Sequence, residues 1–257
     1  MKISVVTISF NQGEYLRQCI DSVLDQHYPG LEYIVVDPGS QDNSREIIDS
    51  YGDRIVRVYE KDAGAADGLN KGFARATGEV FAFINSDDAL LPGSLQRMAD
   101  EFARRPGVDL VAGSGYFCDG AGQRGKRIVP SRLTPWLYVF GGVTLFQQGM
   151  FFTRDIFRKV GGFNAANRSS WDAELFVDMA KAGARFDYID DDIALFRMYP
   201  GSITGSGRLR QIYLEDAARI FESVTGRTPR RTDWLVNKVA RLAKFAGDPA
   251  YTLRRLR

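Results

Sequence analysis

Two adjacent carboxylates, Asp87 and Asp88, follow the apolar run Val80 to Ile84 and the pair Asn85-Ser86. Neighbouring carboxylates repel each other, and a divalent cation removes that cost, so metal binding is one chemistry open to the pair. A helix cap or a turn is the other, and the pair alone does not choose. Asp37 ends a second apolar run, Tyr33 to Val36, and leads into Pro38-Gly39-Ser40-Gln41-Asp42-Asn43-Ser44. Its carboxylate suits a hydrogen bond from a nucleobase N–H or a ribose hydroxyl, and glycine lets a ligand approach the backbone. Pro-Gly-Ser is equally turn chemistry. Asp67, Asn70 and Lys71 stand three or four apart and share one face of a helical turn. Lys71 suits a phosphate near a helix start, whereas an Asp67–Lys71 pair on a solvated face is the plainer alternative. Asp172 follows Trp171 in the second half. A carboxylate beside an indole loses water and gains proton affinity, as a general base requires; complementing a helix dipole is its other reading.

The elements that must hold these groups alternate. Ile3 to Ile8 reads as a buried strand, and Glu14 to Leu24 carries apolar residues at helical spacing. Strands follow at Tyr33–Val36, Ile55–Tyr59 and Val80–Ile84. Between and after them come a helix capped by Asp42 or Asn43, a helix over 65–76, and a helix opened by Pro92 that runs to Arg104. This βαβαβαβ order predicts an α/β fold with a mostly parallel, Rossmann-like sheet flanked by helices. Ligands of such sheets bind outside the carboxyl ends of the strands, where the polar clusters lie. The second half is less regular. It gives a strand at Leu110–Cys118, a Gly- and Arg-rich loop over 119–135, a strand at Gln147–Thr153 and a helix at Trp171–Ala182. Beyond Arg185–Met198 come terminal helices at Leu209–Val224 and Asp233–Ala246. The simplest parse is one domain over 1–205 and a helical C-terminal tail over 206–257.

Composition narrows the chemistry. The 257 residues hold 34 Lys and Arg against 32 Asp and Glu, with 44% hydrophobic and 26% charged residues, as a globular domain does. His27 is the only histidine and Cys19 and Cys118 the only cysteines, which removes a Ser-His-Asp triad, a zinc site and a disulfide scaffold from consideration. No stretch approaches the roughly 20 apolar residues of a membrane span, and the first strand lacks the form of a signal peptide. A cytoplasmic location is the expectation. From Gly226 to Arg257 nine basic residues face two acidic ones, a net of +7, and the rest of the chain carries −5. Such a tail suits an anionic surface. Leu235, Val239, Leu242 and Ala246 also fall at helical spacing. The tail is therefore read as packing on the body, or as a peripheral contact with the inner membrane leaflet.

As a set, these stretches resemble the family-2 glycosyltransferases of GT-A fold. The resemblance rests on Ser4 to Asn11, Ser22 to Pro29, Tyr33 to Ser44, Asp67 to Gly72, Ala76 to Glu79 and Asn85 to Asp88. Thinner support comes from Phe151-Phe152, Gly161-Gly162-Phe163, Trp171 to Leu175, and Phe196-Arg197 with Ser202. It implies a nucleotide-sugar-binding half over 1–105 and an acceptor-binding half over 106–205. By the resemblance, Asp37 would help hold the base or ribose beside Ile8 and Ser9, and Asp67, Asn70 and Lys71 would line the same pocket. Asp87-Asp88 matches the DxD-type motif, with Asp88 favoured as direct ligand of Mn²⁺ or Mg²⁺ on the diphosphate. Asp172 takes the place of the catalytic base, and Arg197 would sit near the diphosphate.

The implied activity is inverting transfer of a sugar from a UDP-, GDP- or dTDP-sugar to a saccharide or lipid-linked acceptor, in bacterial polysaccharide or glycoconjugate synthesis, with no nucleic-acid partner. Two departures stand out. Pro38 replaces a second acidic residue, and Tyr199 stands where an Arg-x-His-x-x-Ser pattern would place histidine. A dinucleotide oxidoreductase is disfavoured, because Ser9 to Gly13 is no Gly-x-Gly-x-x-Gly turn. A sugar nucleotidylyltransferase would need a Gly- and Arg-rich loop after the first strand, and a paired-carboxylate hydrolase has no call for a nucleotide pocket. A nucleotide-sugar-binding scaffold without turnover remains the non-enzymatic alternative.

Overall fold

The computed structural model of the chain describes residues 1–256, and the side chains at 246, 247, 249 and 256 lie outside that description. Ala246, expected on the tail's apolar stripe, is among them, and Arg257 lies outside altogether. The first half runs β1 (Ile3–Ile8), α1 (Gly13–Leu24), β2 (Leu31–Val36), α2 (Ser44–Asp49), β3 (Val56–Val58), α3 (Ala65–Phe73), β4 (Val80–Asn85), β5 (Ala89–Leu90) and α4 (Ser94–Arg104). The second half runs β6 (Leu110–Cys118), β7 (Arg124–Ile128), α5 (Pro135–Val139), β8 (Met150–Thr153), α6 (Arg154–Lys159), α7 (Trp171–Lys181) and β9 (Phe186–Arg197). Four helices follow: α8 (Ile203–Ser206), α9 (Arg210–Thr225), α10 (Asp233–Gly247) and α11 (Pro249–Leu256).

The strands form one sheet in the order β3-β2-β1-β4-β8-β6-β9-β5, with β7 paired to β6. Pairing is parallel from β3 through β4 and again between β6 and β9; β8, β5 and β7 join antiparallel. The first strand is buried on both faces, which is why its apolar residues do not alternate with exposed polar ones and Ser4 and Thr7 are themselves buried. Its side chains still alternate between two cores. Ile3 and Val5 pack with α1, α2 and α4, and Val6 packs with α3, α6 and α7. At the amino ends of these strands Glu32 accepts hydrogen bonds from Lys2 (2.7 Å), Ser4 (2.6 Å) and Thr77 (2.7 Å). The opposite, carboxyl ends are left for polar turns.

Three local expectations change. The stretch 119–135 contains β7, a strand that recruits Arg124 and Lys126 to the sheet edge through pairing with β6 rather than through any apolar pattern of its own. Gln147–Gly149 is a 3₁₀ turn and the strand begins only at Met150, because Gln147 turns its amide to the carbonyl of Phe83 (2.7 Å). A further helix, α11, follows α10. Helices α9 to α11 are docked on the body: Phe221 and Ala240 are buried with Phe140, and Tyr251 is buried too. The stripe read from spacing faces the other way. Leu235, Val239 and Leu242 are 54, 62 and 72% exposed.

Candidate functional site

A cavity of about 900 Å³ opens where β1 and β4 end, and its far side is closed by β7, the 144–148 segment, the start of α7 and the C-terminal helices. That volume suits a ligand larger than a simple sugar. Ile8, Ser9, Pro38, Asp87 and Asp172 all line it, so groups 164 positions apart in the chain meet in one space.

At the carboxyl ends of β1 and β2 the backbone is fixed first. Ser9 N–H donates to Val36 O and Asp37 N–H to Val58 O, both at 2.9 Å. Of the two residues expected to cap α2, Asn43 stands at the N-cap position, while Asp42 accepts from Gly13 N–H at the start of α1 (2.9 Å), and Ser44 Oγ accepts from Gln12 N–H (3.1 Å). The two strand-end loops are thus stitched together. Asp37 is buried; its Oδ1 accepts from Gly39 N–H, Ser40 N–H and Arg45 Nε. Its Oδ2 and the Ser9 Oγ are buried without a hydrogen-bond partner among the described residues. Such groups are costly in isolation and mark places where a ligand's polar atoms would be welcome.

The acidic pair sits in the β4–β5 turn, and its two members differ. Asp87 is half-buried on the cavity wall; burial raises its carboxyl pKa, against the pull of a Tyr199 hydrogen bond and the Arg197 charge. Asp88 is buried behind it. Its Oδ1 accepts from Arg197 N–H (2.9 Å), and its Oδ2 from Gln148 Nε2 (2.8 Å) and Asn85 Nδ2 (3.2 Å). Burial and the adjacent Asp87 push the Asp88 carboxyl well above the ordinary range. Asp87 thus faces the cavity, and Asp88, the residue the resemblance favours as metal ligand, is held by N–H donors.

Arg197 does not reach the cavity either. It is 1% exposed, donates Nε to Asp87 O (2.8 Å) and Nη1 to Asp119 O and Gly120 O, and gives Nη2 to Gln18 Oε1. It pins the acidic turn instead of binding at the wall. Tyr199 packs at a tilt against Tyr15 (ring centres 4.9 Å apart), and its hydroxyl meets Gln12 Oε1 (3.2 Å) and the Asp87 carboxylate. Where the resembling pattern would have histidine, this chain puts a phenol on the same acidic turn.

Asp67, Asn70 and Lys71 lie outside the cavity lining. Lys71 pairs with Asp67 (2.8 Å), the plainer of the two readings, because the i,i+4 spacing already brings them together. Asn70 exchanges two hydrogen bonds with the Phe163 backbone (2.8 and 2.9 Å), tying α3 to the turn before α7. From the same stretch Asp62, at the end of the β3–α3 loop, does line the cavity, and burial raises its carboxyl.

Asp172 lines the cavity from the first turn of α7, beside Trp171. Burial raises its carboxyl, against backbone N–H donors at the helix start. The loop that leads into this turn is clamped from α9. Asp216 Oδ2 accepts from Arg168 N–H, Ser169 N–H and Ser169 Oγ, and Arg219 bridges Asp216 (2.7 Å) to Glu174 (2.8 Å). Asn167 and Asn164 also donate to Glu174. No spacing rule announces this clamp, since its halves are more than 40 residues apart. Sequence reading also missed Lys126, Thr144, Lys244, Tyr251 and Arg255 as cavity residues, which only tertiary packing brings there.

The glycosyl transferase family 2 profile matches residues 4–175. The chain belongs to that family. Curated relatives include an uncharacterized glycosyltransferase of Nostoc sp., 28% identical over 211 residues that cover 77% of this chain and 65% of the relative. The putative teichuronic acid biosynthesis glycosyltransferase TuaG of Bacillus subtilis is 38% identical over 107 residues, covering 40% of this chain and 42% of TuaG. The chain thus spans just under two thirds of the Nostoc protein's length. Among solved structures, S. aureus TarS in complex with UDP-GlcNAc superposes with a TM-score of 0.68 at 17% identity, covering 94% of this chain and 70% of that one. A Pyrobaculum calidifontis mannosyltransferase in complex with GDP-Man and Mn²⁺ gives 0.67 at 17% identity, covering 97% and 75%. At that identity the likeness concerns the fold, which is GT-A.

A divalent cation of the kind bound in that mannosyltransferase needs donors. Among the described residues no three His, Cys, Asp or Glu side chains converge to hold one unaided. A cation at a nucleotide site takes one or two carboxylates and fills its shell with phosphate and water oxygens. Asp87, whose negative charge is disfavoured where it stands, fits that partial set.

Proposed function

We propose that this chain transfers a sugar from a nucleoside-diphosphate sugar to an acceptor hydroxyl in one inverting displacement. The observation that carries the reading is that Asp87 and Asp172, from opposite halves of the chain, line one cavity at the strand ends. Ser9 Oγ on the cavity wall, and Asp37 Oδ2 buried just behind the lining beside Pro38, are unpartnered oxygens suited to nucleoside N–H or hydroxyl groups, and Ile8 and Pro38 give that end an apolar wall. Asp87 would hold Mn²⁺ or Mg²⁺ together with the donor's diphosphate, and the bound ion would stabilise the charge of the departing nucleotide. Asp88 and Arg197 position Asp87 by fixing the turn on both sides.

Asp172 accepts the acceptor's hydroxyl proton as that oxygen bonds to the anomeric carbon and the carbon–diphosphate oxygen bond breaks. A carboxylate made more basic by burial suits that task. Attack from the face opposite the leaving group inverts the anomeric centre. We further assign the reaction to bacterial polysaccharide or glycoconjugate synthesis on the cytoplasmic side of the membrane. The exposed Leu235, Val239 and Leu242, flanked by Lys238 and Arg241, support a peripheral contact of α10 with an anionic leaflet. No helix among the described residues is long and apolar enough to cross a membrane.

The test is a turnover screen of UDP-, GDP- and dTDP-sugars with Mn²⁺ or Mg²⁺, paired with calorimetric titration of the free nucleotides and NMR of the product anomer. Turnover with inversion, abolished in Asp172→Asn, is the expected result. Nucleotide binding without turnover of any donor would leave a binding subunit in place of an enzyme. Sedimentation with anionic liposomes tests the membrane contact, and equal binding of the native chain and a Leu235→Ser/Leu242→Ser variant would reject it.

A further inference from the structure

We propose that the end of the cavity walled by β7 and the C-terminal helices is a site for an oxyanion carried by the acceptor, held by Lys126, Lys244 and Arg255. This rests on the sugar-transfer reading above and names the class of acceptor. Six basic side chains line the cavity, Lys61, Lys126, Arg127, Arg208, Lys244 and Arg255, against the carboxylates of Asp62, Asp87 and Asp172.

The basic residues are not equivalent. Arg127 is neutralised by Asp192 (2.7 Å) and Asp190 (3.1 Å). Lys126, Lys244 and Arg255 form no ion pair among the described residues. The carboxylates on neighbouring elements are engaged elsewhere: Asp248 by Arg254 (3.3 Å) and Asp191 by Arg97 (2.7 Å). Lys244 lies 5.3 Å from the Phe245 ring centre and 5.6 Å from that of Tyr251, and among the described residues its Nζ hydrogen-bonds only to Thr144 Oγ1, at 3.4 Å. Arg255 is 5.8 Å from the same Phe245 ring. An Arg127 Nη1 bond to Arg254 O (2.8 Å) ties β7 to α11, and their sequence neighbours Lys126 and Arg255 both line the cavity.

Like charges gathered without counter-charges repel, and an anion between them removes the repulsion while making charge-assisted hydrogen bonds. The donor's polar acceptors, Ser9 and Asp37, and the carboxylate proposed for its diphosphate, Asp87, come from β1, β2 and the β4–β5 turn. Lys126, Lys244 and Arg255 come from β7, α10 and α11. The wall opposite the donor therefore selects an acceptor bearing phosphate or carboxylate over a neutral glycan.

The test uses the full chain saturated with UDP or GDP, whichever binds, and titrated at low salt with glycerol 3-phosphate, glucuronate and neutral glucose. The expected result is that at least one anion binds about tenfold more tightly than glucose. Lys244→Ala and the solvent-exposed Lys126→Ala should abolish that preference, with nucleotide affinity unchanged and Lys244→Arg restoring it. Which anion wins separates phosphate from carboxylate acceptors. Equal binding of anions and glucose would overturn the proposal, as would a preference that survives both substitutions. A loss of nucleotide affinity in the variants would reassign the cations to the donor and overturn it too. If neither nucleotide binds the native chain, the sugar-transfer reading fails, and the anion titration of the free protein still reads this site separately.

Discussion

The near wall of the cavity, from residues 3–90, and the far wall, from residues 119–255, hold their functional groups by different physics. On the near wall Ser9 follows directly on β1, and Asp37, buried behind the lining, follows on β2; main-chain bonds such as Ser9 N–H to Val36 O fix that backbone, and Arg197 braces the turn that carries Asp87. On the far wall Asp172 stands at a helix start whose preceding loop is held by side chains of α9. A sheet ladder shares its cohesion over many bonds, whereas a clamp of one arginine and two carboxylates concentrates it. Substitution near the clamp should thus disturb catalysis at a distance, and substitution on the near wall should act where it is made.

The largest effect falls on Asp172. Asp172→Asn should lower transfer by about 10²–10⁴-fold, the usual contribution of a general base, with nucleotide binding close to normal. Because burial raises the Asp172 carboxyl above its ordinary 3.8, the acid limb of the native pH–rate profile should lie above that value. Rate falls as pH drops through the limb, since the proton occupies the base.

Asp87→Ala should follow, with metal-dependent nucleotide binding weakened about tenfold or more in titrations run with and without Mn²⁺. An Asp88→Asn protein that instead lost that binding while Asp87→Ala kept it would reverse the roles drawn here.

Arg219→Ala sharpens the comparison most directly. Removing it leaves Glu174 and Asp216 with neutral donors only, and Arg219 is itself partly exposed, so the expected loss of stability is about 1–2 kcal/mol by denaturant titration. Turnover should fall about tenfold with nucleotide affinity unchanged, as expected when a catalytic group is misplaced. An unchanged rate would mean that the α7 start needs no help from α9.

The smallest effect is at the opposite end of the sheet. Burial alone would raise the Glu32 carboxyl, but hydrogen bonds from Lys2, Ser4 and Thr77 bring it from 4.5 down to about 2. A depressed carboxylate stabilises the fold fully above its unfolded pKa and loses that contribution as pH falls. Glu32→Gln should therefore be less stable than the native chain at pH 7, with the gap closing between pH 4.5 and 2 and with turnover at pH 7 unaffected.

The alternation of elements through β4 was legible because each buried strand and amphipathic helix announces itself within a short window. The acidic turn and Asp172 were legible as candidates for the same reason, being polar residues at the ends of such windows. Which of Asp87 and Asp88 faces the cavity was not, because the answer depends on Arg197 and Gln148, 60 or more positions away. The spacing of Asp67, Asn70 and Lys71 gave the helix face and the Asp67–Lys71 pair but not the Phe163 turn that Asn70 meets. Neither β7 nor the basic end of the cavity carries any periodic signal, since pairing with β6 and docking of α11 create both.

By itself the sequence determined the order of strands and helices through β4, an inventory with a single histidine and two cysteines, and the placing of acidic groups at strand ends. These follow from local propensity, period and residue inventory, which need no fold to be read. The tertiary structure alone decided which carboxylates line the cavity, that Arg197 braces a turn, and that Lys244 and Arg255 come to stand across from the strand ends. Burial and charge at a point depend on every chain segment packed around it, and no single stretch of sequence contains that sum.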